Sequence, residues 1–155
     1  PETSVDVEAD AFIPDTYVTS NVERLNLYRR LSEATDEAAI EAFREELADR
    51  FGPVPPEVDN LLWAARLKLL GQALRLPKVL FKNRRLFLEF PLQDEDPHFY
   101  AHHFMPLLER LSQLDRRYVL KDQNRKLRAI VQDVPDLETA YQVLRQLQPA
   151  EVPVS

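Results

Sequence analysis

The sequence predicts an α+β fold, with N-terminal helices followed by two β-hairpins that form a small antiparallel sheet with helices packed against it. The first half of the chain repeats apolar residues at helical spacing. The second half contains two pairs of β-rich segments, and each pair flanks a short polar turn. A length of 155 residues fits one domain. We expect an extended arm at residues 1–18, a single domain at 19–149 and a flexible tail at 150–155.

Three helices are predicted after the arm, at residues 22–34, 36–50 and 55–76. Ser20 or Asn21 caps the first helix, Thr35 caps the second, and a proline pair opens the third. Gly52 followed by Pro53 predicts a left-handed end to the second helix. The positions expected to face the core are Val22, Leu25, Tyr28 and Leu31 in the first helix, Ile40, Phe43 and Leu47 in the second, and Val58, Leu61, Leu62, Ala65 and Leu69 in the third.

Two hairpins and two further helices are predicted in the second half. Residues 79–90 form the first hairpin around the turn at 82–85, and residues 118–131 form the second around 122–125. A helix at 98–113 lies between them, and Pro106 breaks or restarts it. Asp133 caps and Pro135 opens a last helix that runs to residue 148. Its inward positions are Ala140, Tyr141, Leu144 and Leu147.

Composition favours a module that acts through a partner. The net charge of −6 is uneven: residues 1–60 carry 15 acids and 5 bases, a balance of −10, whereas residues 61–155 carry 11 acids and 15 bases, a balance of +4. The acidic part disfavours general nucleic-acid binding and favours a basic protein partner. The sequence starts at Pro1 and Met105 is its only methionine, so we expect a piece of a longer protein. The absence of cysteine fits the cytosol, and no apolar run predicts a membrane span.

Catalytic and metal sites are not predicted. Two glycines cannot build a phosphate-binding loop, and no acid has an apolar setting that would suit proton transfer. His98 and His102 have helical i, i+4 spacing and His103 is adjacent, but no third ligand follows at regular spacing. We therefore expect no enzyme activity, no cofactor and no metal in this chain.

Basic hairpin turns provide an alternative function. Arg84 and Arg85 lie at the first turn, and Arg125 and Lys126 lie at the second. If both turns shared one edge, they would form a phosphate footprint for a nucleic-acid-binding α+β module. Basic residues also protect exposed sheet edges, which is the structural explanation of the same pattern.

The end of the second helix is the strongest candidate site. Glu46, Asp49 and Arg50 fall on one side of the last turns, beside the small residues Ala39 and Ala42. Acid in a last turn opposes the helix macrodipole. An i, i+4 pair explains Glu46 and Arg50 but leaves Asp49 unexplained. We therefore expect these three residues to contact a partner.

Three ordered motifs resemble the C-terminal domain family of bacterial transcription-repair coupling factors (Mfd). They are AFIPDTYV at residues 11–18, RLNLYRRL at 24–31 and ELADRFGPVP at 46–55. The resemblance is dense over residues 11–76 and loose afterwards. The three motifs together are specific, whereas the Asp-Arg-Phe-Gly piece alone is not.

The resemblance implies a role in an ATP-driven translocase on double-stranded DNA, which removes stalled RNA polymerase and recruits UvrA for nucleotide excision repair. The C-terminal domain of such a protein is not catalytic. It is expected to dock on the N-terminal UvrB-like module and to mask the UvrA-binding surface. The family's acid, acid and arginine at this contact match Glu46, Asp49 and Arg50 here.

Overall fold

The computed structural model describes residues 2–150, which form six helices and five strands. In chain order these are β1 (Ser4–Val7), α1 (Asn21–Ser32), α2 (Glu37–Phe51), α3 (Pro56–Ala73), β2 (Lys78–Lys82), β3 (Arg85–Glu89), α4 (Pro97–His102), α5 (Phe104–Ser112), β4 (Tyr118–Gln123), β5 (Lys126–Val131) and α6 (Leu137–Gln146). Of the predicted tail at 150–155, all but Ala150 lies outside the described residues.

The five strands form one mixed sheet in the order β1-β2-β3-β5-β4. The two predicted hairpins, β2–β3 and β4–β5, join through antiparallel pairing of β3 with β5. The arm adds β1 as an edge strand, which pairs in parallel with β2. The predicted α+β class is confirmed, and the arm adds one parallel edge strand to the sheet of the two hairpins.

Two apolar clusters divide the core into a helical lobe and a sheet lobe. The helical lobe is built on Ile13, Val18, Leu27, Leu31, Ile40, Phe43, Leu47, Val58 and Leu62. The sheet lobe packs one face of the sheet, including Val79, Phe81, Leu86, Leu88, Ala129 and Val131, against residues of α3, α4, α5 and α6. Helix α3 contributes Leu62 to the first cluster and Leu67 to the second, so it links the two lobes.

The predicted apolar face of α1 is wrong in half of its positions. Val22 and Leu25 are each 69% exposed, whereas Leu27 and Leu31 are buried. Leu27 and Leu31 are separated by four residues and so lie on one face of the helix. A spacing of three residues drifts by about 60° at each step of a 3.6-residue helix, which carries Val22 and Leu25 out of the core.

Three predicted element ends differ by a few residues. Asp36 rather than Thr35 caps α2, and its carboxylate accepts from the backbone N–H of Ala39 at 2.8 Å. Asp136 rather than Asp133 caps α6 in the same way. The break in the predicted helix at 98–113 falls at His103, and α5 restarts with Pro106 in its first turn, where its missing N–H is not needed.

Left-handed backbone occurs at several residues other than glycine. Within residues 2–150, positive φ angles occur at Arg75, Asn83, Arg84, Asn124, Arg125 and Asp133. Four of these residues form the two hairpin turns, where both central residues need positive φ to match the twist of the strands. Gly52, with φ of 91°, ends α2 as predicted.

The arm is fixed to the domain by hydrogen bonds at both ends. Near β1, the Thr3 hydroxyl donates to the carbonyl of Leu76 at 2.7 Å. Close to α1, the backbone N–H of Ile13 donates to the Tyr28 hydroxyl at 2.7 Å. The predicted extended arm therefore packs on both lobes.

Candidate protein-interaction site

The C-terminal end of α2 is held in a defined position. The backbone N–H of Gly52 donates to the carbonyl of Ala48 at 3.1 Å, and Pro53 prevents continuation. From the arm, the Tyr17 hydroxyl lies 3.0 Å from the carbonyl oxygen of Leu47 and 2.8 Å from that of Gly52. These contacts satisfy carbonyls that a helix end otherwise leaves without a partner.

An ion-pair network joins α1 to α2 at this end. The Arg30 guanidinium donates to both carboxylate oxygens of Glu46, at 2.7 and 2.8 Å. Arg50 donates to the same Glu46 carboxylate at 3.0 Å and to Glu23 at 2.7 Å. The four side chains therefore alternate in charge from Glu23 through Arg50 and Glu46 to Arg30. The bidentate contact fixes the geometry as well as the charge of Glu46.

Hydrogen bonding favours the charged forms of Glu46, Arg30 and Arg50. The hydrogen bond from Arg30 is the main cause that lowers the pKa of Glu46 to about 2, against a smaller opposing effect of desolvation. A hydrogen bond to Glu23, and then one to Glu46, raises the pKa of Arg50. Glu46 and Arg50 are therefore both ionised throughout the physiological range.

The three predicted site residues separate into a paired set and an unpaired acid. The expected i, i+4 pair of Glu46 and Arg50 is present, with Glu46 half-buried and Arg50 exposed. Asp49 is exposed, and its carboxylate takes part in no hydrogen bond or ion pair within residues 2–150. It lies in the last turn of α2, where the macrodipole disfavours negative charge. Its position is therefore not explained by the contacts of the described chain.

An exposed apolar pair lies at the same end of the helix pair. Val22 immediately precedes Glu23, which binds Arg50, and Leu25 follows one turn later on the outer side of α1. On α2, Ala39 and Ala42 are exposed, as predicted for a flank of small residues. The sequence pattern did not indicate this exposed pair, because the spacing of its residues predicted a core face.

The histidines do not form a site that could hold a metal. The rings of His98 and His102 lie with centroids 4.6 Å apart, and His103 is 5.2 Å from His98. No group of three potential ligands among residues 2–150 has a geometry suited to a metal ion. Burial is the main cause that lowers the pKa of His103, with its histidine neighbours and Arg75 acting in the same direction.

The two basic turns lie at opposite ends of the sheet. In the β3–β5 register, Leu86 is opposite Val131 and Glu89 is opposite Arg128. Arg84 and Arg85 therefore lie at one end of these strands. Arg125 and Lys126 lie at the other end, near Asp94 and Glu89 respectively. The single-edge phosphate footprint of the alternative hypothesis is not formed.

A groove of about 540 Å³ runs between the arm, α1 and α3. Apolar and small side chains line most of it, and Glu2 and Lys68 are the charged residues among its described lining. The groove offers no arrangement of convergent polar groups comparable to the network at α2.

No helix in the described part of the chain is long and apolar enough to span a bilayer.

Comparisons with known proteins identify the relatives of this fold. The family model for the TRCF domain matches residues 7–100. Transcription-repair-coupling factors of three bacteria are similar to the chain. The protein of Rickettsia bellii is 42% identical over 67 residues, 43% of this chain and 6% of the relative. Those of Borreliella burgdorferi and Bacillus subtilis are 32% identical over 89 residues, 57% of the chain and 8% of the relative, and 40% identical over 76 residues, 48% of the chain and 6% of the relative.

A solved structure supports the same assignment at the level of the fold. The crystal structure of a C-terminal domain of transcription-repair coupling factor matches with a TM-score of 0.70 and 19% identity, covering 94% of this chain and 91% of that one. The chain spans less than a tenth of the length of the curated relatives described above. Because the family model covers more than half of its residues, this chain belongs to the TRCF domain family.

Proposed function

We propose that this chain is a non-catalytic, autoinhibitory domain of a transcription-repair coupling factor. It docks on the UvrB-like module of its parent protein through Asp49, with Glu46 and Arg50 beside it, and masks the surface that binds UvrA. Docking ends when the ATP-driven translocase on double-stranded DNA engages a stalled RNA polymerase. The observation that carries this proposal is the exposed and unpaired carboxylate of Asp49 next to a fixed ion-pair network.

The network supports docking because it orders the surface before a partner arrives. Glu46 is fixed by Arg30, and Arg50 is held between Glu46 and Glu23. Side chains that are already ordered lose less conformational entropy when a partner binds. Asp49 is then the carboxylate that remains available for a basic group of the partner. The roles differ accordingly: Glu46 and Arg50 shape the surface, and Asp49 contributes the unmatched charge.

Charge and apolar area on the helical lobe fit a protein partner with basic residues. The balance of −10 over residues 1–60 attracts such a surface over long range and increases the rate of association. Val22 and Leu25, each 69% exposed, provide apolar area on α1 that a partner would remove from water. Ala39 and Ala42 permit close approach of a partner backbone along α2.

The proposal is tested in the intact parent protein with Asp49→Arg. The replacement places a cation where a basic partner surface is expected, so docking weakens at least about tenfold, equivalent to about 1.4 kcal/mol. We expect affinity for UvrA and the resting ATPase rate to rise together, and we expect the same of a deletion of the whole domain. Titration of labelled UvrA and steady-state ATP hydrolysis measure the two effects.

Glu109→Arg is the matched control, because Glu109 is an exposed helical acid of the sheet lobe. This change leaves UvrA affinity and the ATPase rate at the wild-type values. If deletion of the domain altered neither quantity, autoinhibition would be wrong. If deletion raised both but Asp49→Arg raised neither, autoinhibition would stand and the assignment of the contact to Asp49 would be wrong.

A further inference from the structure

The sheet has an open face on the side opposite the helices. The strand register brings Leu80, Phe87, Ile130 and Val119 into one row that crosses β2, β3, β5 and β4. None of these four side chains belongs to the cluster that joins the sheet to the helices. Ile130 is 5% exposed, Leu80 and Phe87 are half-buried, and Val119 is 41% exposed. We call this set the apolar row.

Basic side chains flank the apolar row on both sides. On one side of the row, Lys82 on β2 lies opposite Arg85 on β3, two residues along each strand from Leu80 and Phe87. On the other side, Arg128 on β5 lies opposite Lys121 on β4, two residues along each strand from Ile130 and Val119. No ion pair within residues 2–150 involves any of these four bases. In addition, the Nε atom of Arg128 is buried and has no hydrogen-bond partner. These four bases therefore lack an ion-pair partner in the described chain, since Glu89, which lies opposite Arg128 in the register, pairs with Lys126 instead.

The acids near this face already have partners. Asp6 lies 3.5 Å from the amine of Lys78, and Glu89 lies 3.8 Å from that of Lys126. The Glu8 carboxylate accepts from the backbone N–H of Asn83 at 3.2 Å. These contacts leave the bases beside the apolar row as the available charges of the open face.

The dimensions and charges of the open face define the kind of partner surface that would match it. Four strands at a spacing of about 4.8 Å make the apolar row about 14 Å long, and a two-residue step along a strand places the basic residues about 7 Å to either side. A matching surface has apolar side chains at its centre and carboxylates on both flanks. Such a surface removes the row from water and supplies the missing counter-charges.

Nucleic acid fits this arrangement less well than protein does. Single strands are bound by open aromatic faces beside a continuous basic track. Here Phe87 is the one aromatic residue of the row, and the Arg85 guanidinium already lies 5.5 Å above its ring. The other three members are aliphatic, and the bases are divided between two sides of the row.

From this charge complementarity we propose that the open face binds an acidic segment of a partner protein, with apolar side chains that cover the apolar row and carboxylates that pair with the bases on both sides. The surface is built from β2, β3, β4 and β5, whereas the docking contact proposed above is built from α1 and α2. The two proposals are therefore independent, and either can fail while the other stands.

The test uses the 155-residue chain and a display library of random 16-residue peptides. We expect selection to enrich peptides that combine at least three acidic and three apolar residues. Fluorescence anisotropy with the synthesised peptides then gives affinities. Val119→Glu, on an exposed edge strand, and Arg85→Glu, at the exposed start of β3, each weaken binding at least tenfold. Both positions tolerate substitution because their side chains lie outside the helix-facing core.

Met105→Glu and Arg29→Glu are the matched controls, since they change an exposed apolar and an exposed basic residue elsewhere. They leave affinity within twofold of wild type, as does Asp49→Arg. The proposal is overturned if no peptides are enriched, if the enriched peptides lack acids, or if the two face variants do not weaken binding. It is also overturned if a 20-nucleotide single strand binds more tightly than the peptides and the two face variants weaken that binding. A dimer in sedimentation experiments that the same two variants dissociate would overturn it as well, because a second copy of the chain would then occupy the face.

Discussion

The helical lobe and the sheet lobe differ in which of their exposed charges form ion pairs. In the helical lobe, Glu23, Arg50, Glu46 and Arg30 neutralise one another, and the acid Asp49 remains outside their network. In the sheet lobe, four bases beside an apolar row have no ion-pair partner among residues 2–150. One small domain therefore presents two surfaces whose unpaired charges have opposite sign. Each surface suits a different class of protein partner.

The two lobes nevertheless share a structural element. Helix α3 has 18 residues and is therefore about 27 Å long. Val58, Leu62 and Leu69 pack in the helical cluster, and Trp63, Leu67 and Leu70 pack in the sheet cluster.

Leu47→Ala gives the largest expected effect and tests whether the lobes unfold together. Leu47 is fully buried in the helical cluster, so the loss of its side chain costs about 2–5 kcal/mol of unfolding free energy. Because α3 belongs to both clusters, we expect one cooperative transition. Urea unfolding is followed by far-UV circular dichroism and by the fluorescence of Trp63, which packs against the sheet cluster. Separate transitions for the two signals would show that the lobes are independent.

Gly71→Ala tests the packing of the arm on the sheet lobe. A Cβ atom at this position would lie 2.8 Å from Cγ2 of Thr3 and 3.1 Å from Cγ2 of Val79. Alanine gains about 1 kcal/mol in helix propensity, but overpacking costs about 1–3 kcal/mol. We expect a net loss of about 1 kcal/mol and faster hydrogen exchange in β1. A more stable variant would show that Thr3 moves away without cost.

Glu46→Gln tests the contribution of the ion-pair network by its dependence on pH. The pKa of Glu46 falls from 4.5 to about 2 on folding. Its contribution is therefore present above pH 4.5 and is lost as the pH falls from 4.5 towards 2. Because Glu46 is partly exposed, the contribution is below about 1 kcal/mol. Urea midpoints of wild type and variant differ at pH 7 and converge near pH 2; a constant difference would contradict the assignment.

Asp49→Asn gives the smallest effect on stability, and the effect has the opposite sign. Removal of an acid from the last turn of α2 relieves its repulsion with the macrodipole and stabilises the domain by about 0.3 kcal/mol. The same change weakens docking, because it removes the proposed contact charge. Glu45→Gln, at an exposed position one turn earlier, is the control for stability and leaves it nearly unchanged. A destabilised Asp49→Asn variant would reveal an intramolecular role for this carboxylate.

Local rules were sufficient for the features that depend on neighbouring residues. Gly52 ends α2, and Asn83 and Asn124 adopt the left-handed turns of the two hairpins, because these conformations depend on a few consecutive residues. The Glu46–Arg50 pair was predicted for the same reason, since it lies within one helix. Local spacing misled us for Val22 and Leu25, because the buried side of α1 is determined by its packing against other elements.

Features that depend on distant segments were not accessible from the sequence. Arg30 and Glu23 reach the end of α2 from another helix, and their pairing requires the packing of α1 on α2. The two basic turns separate because β3 pairs with β5 in antiparallel register. Local patterns predict each hairpin but do not show which strands become neighbours. Both the ion-pair network between α1 and α2 and the open face therefore emerged from tertiary structure.

The left-handed residues of the two hairpin turns are positions where glycine would stabilise the chain. Arg84 and Arg125 adopt φ angles of 57° and 65° in exposed turns. A side chain in this region costs roughly 1–2 kcal/mol, whereas glycine avoids that strain at an entropic cost of roughly 0.5–1 kcal/mol. Glycine at either turn would therefore raise thermal tolerance without any change in the core. A domain that is close to its stability limit could gain enough in this way to accept costly substitutions elsewhere, including those that create a new binding surface.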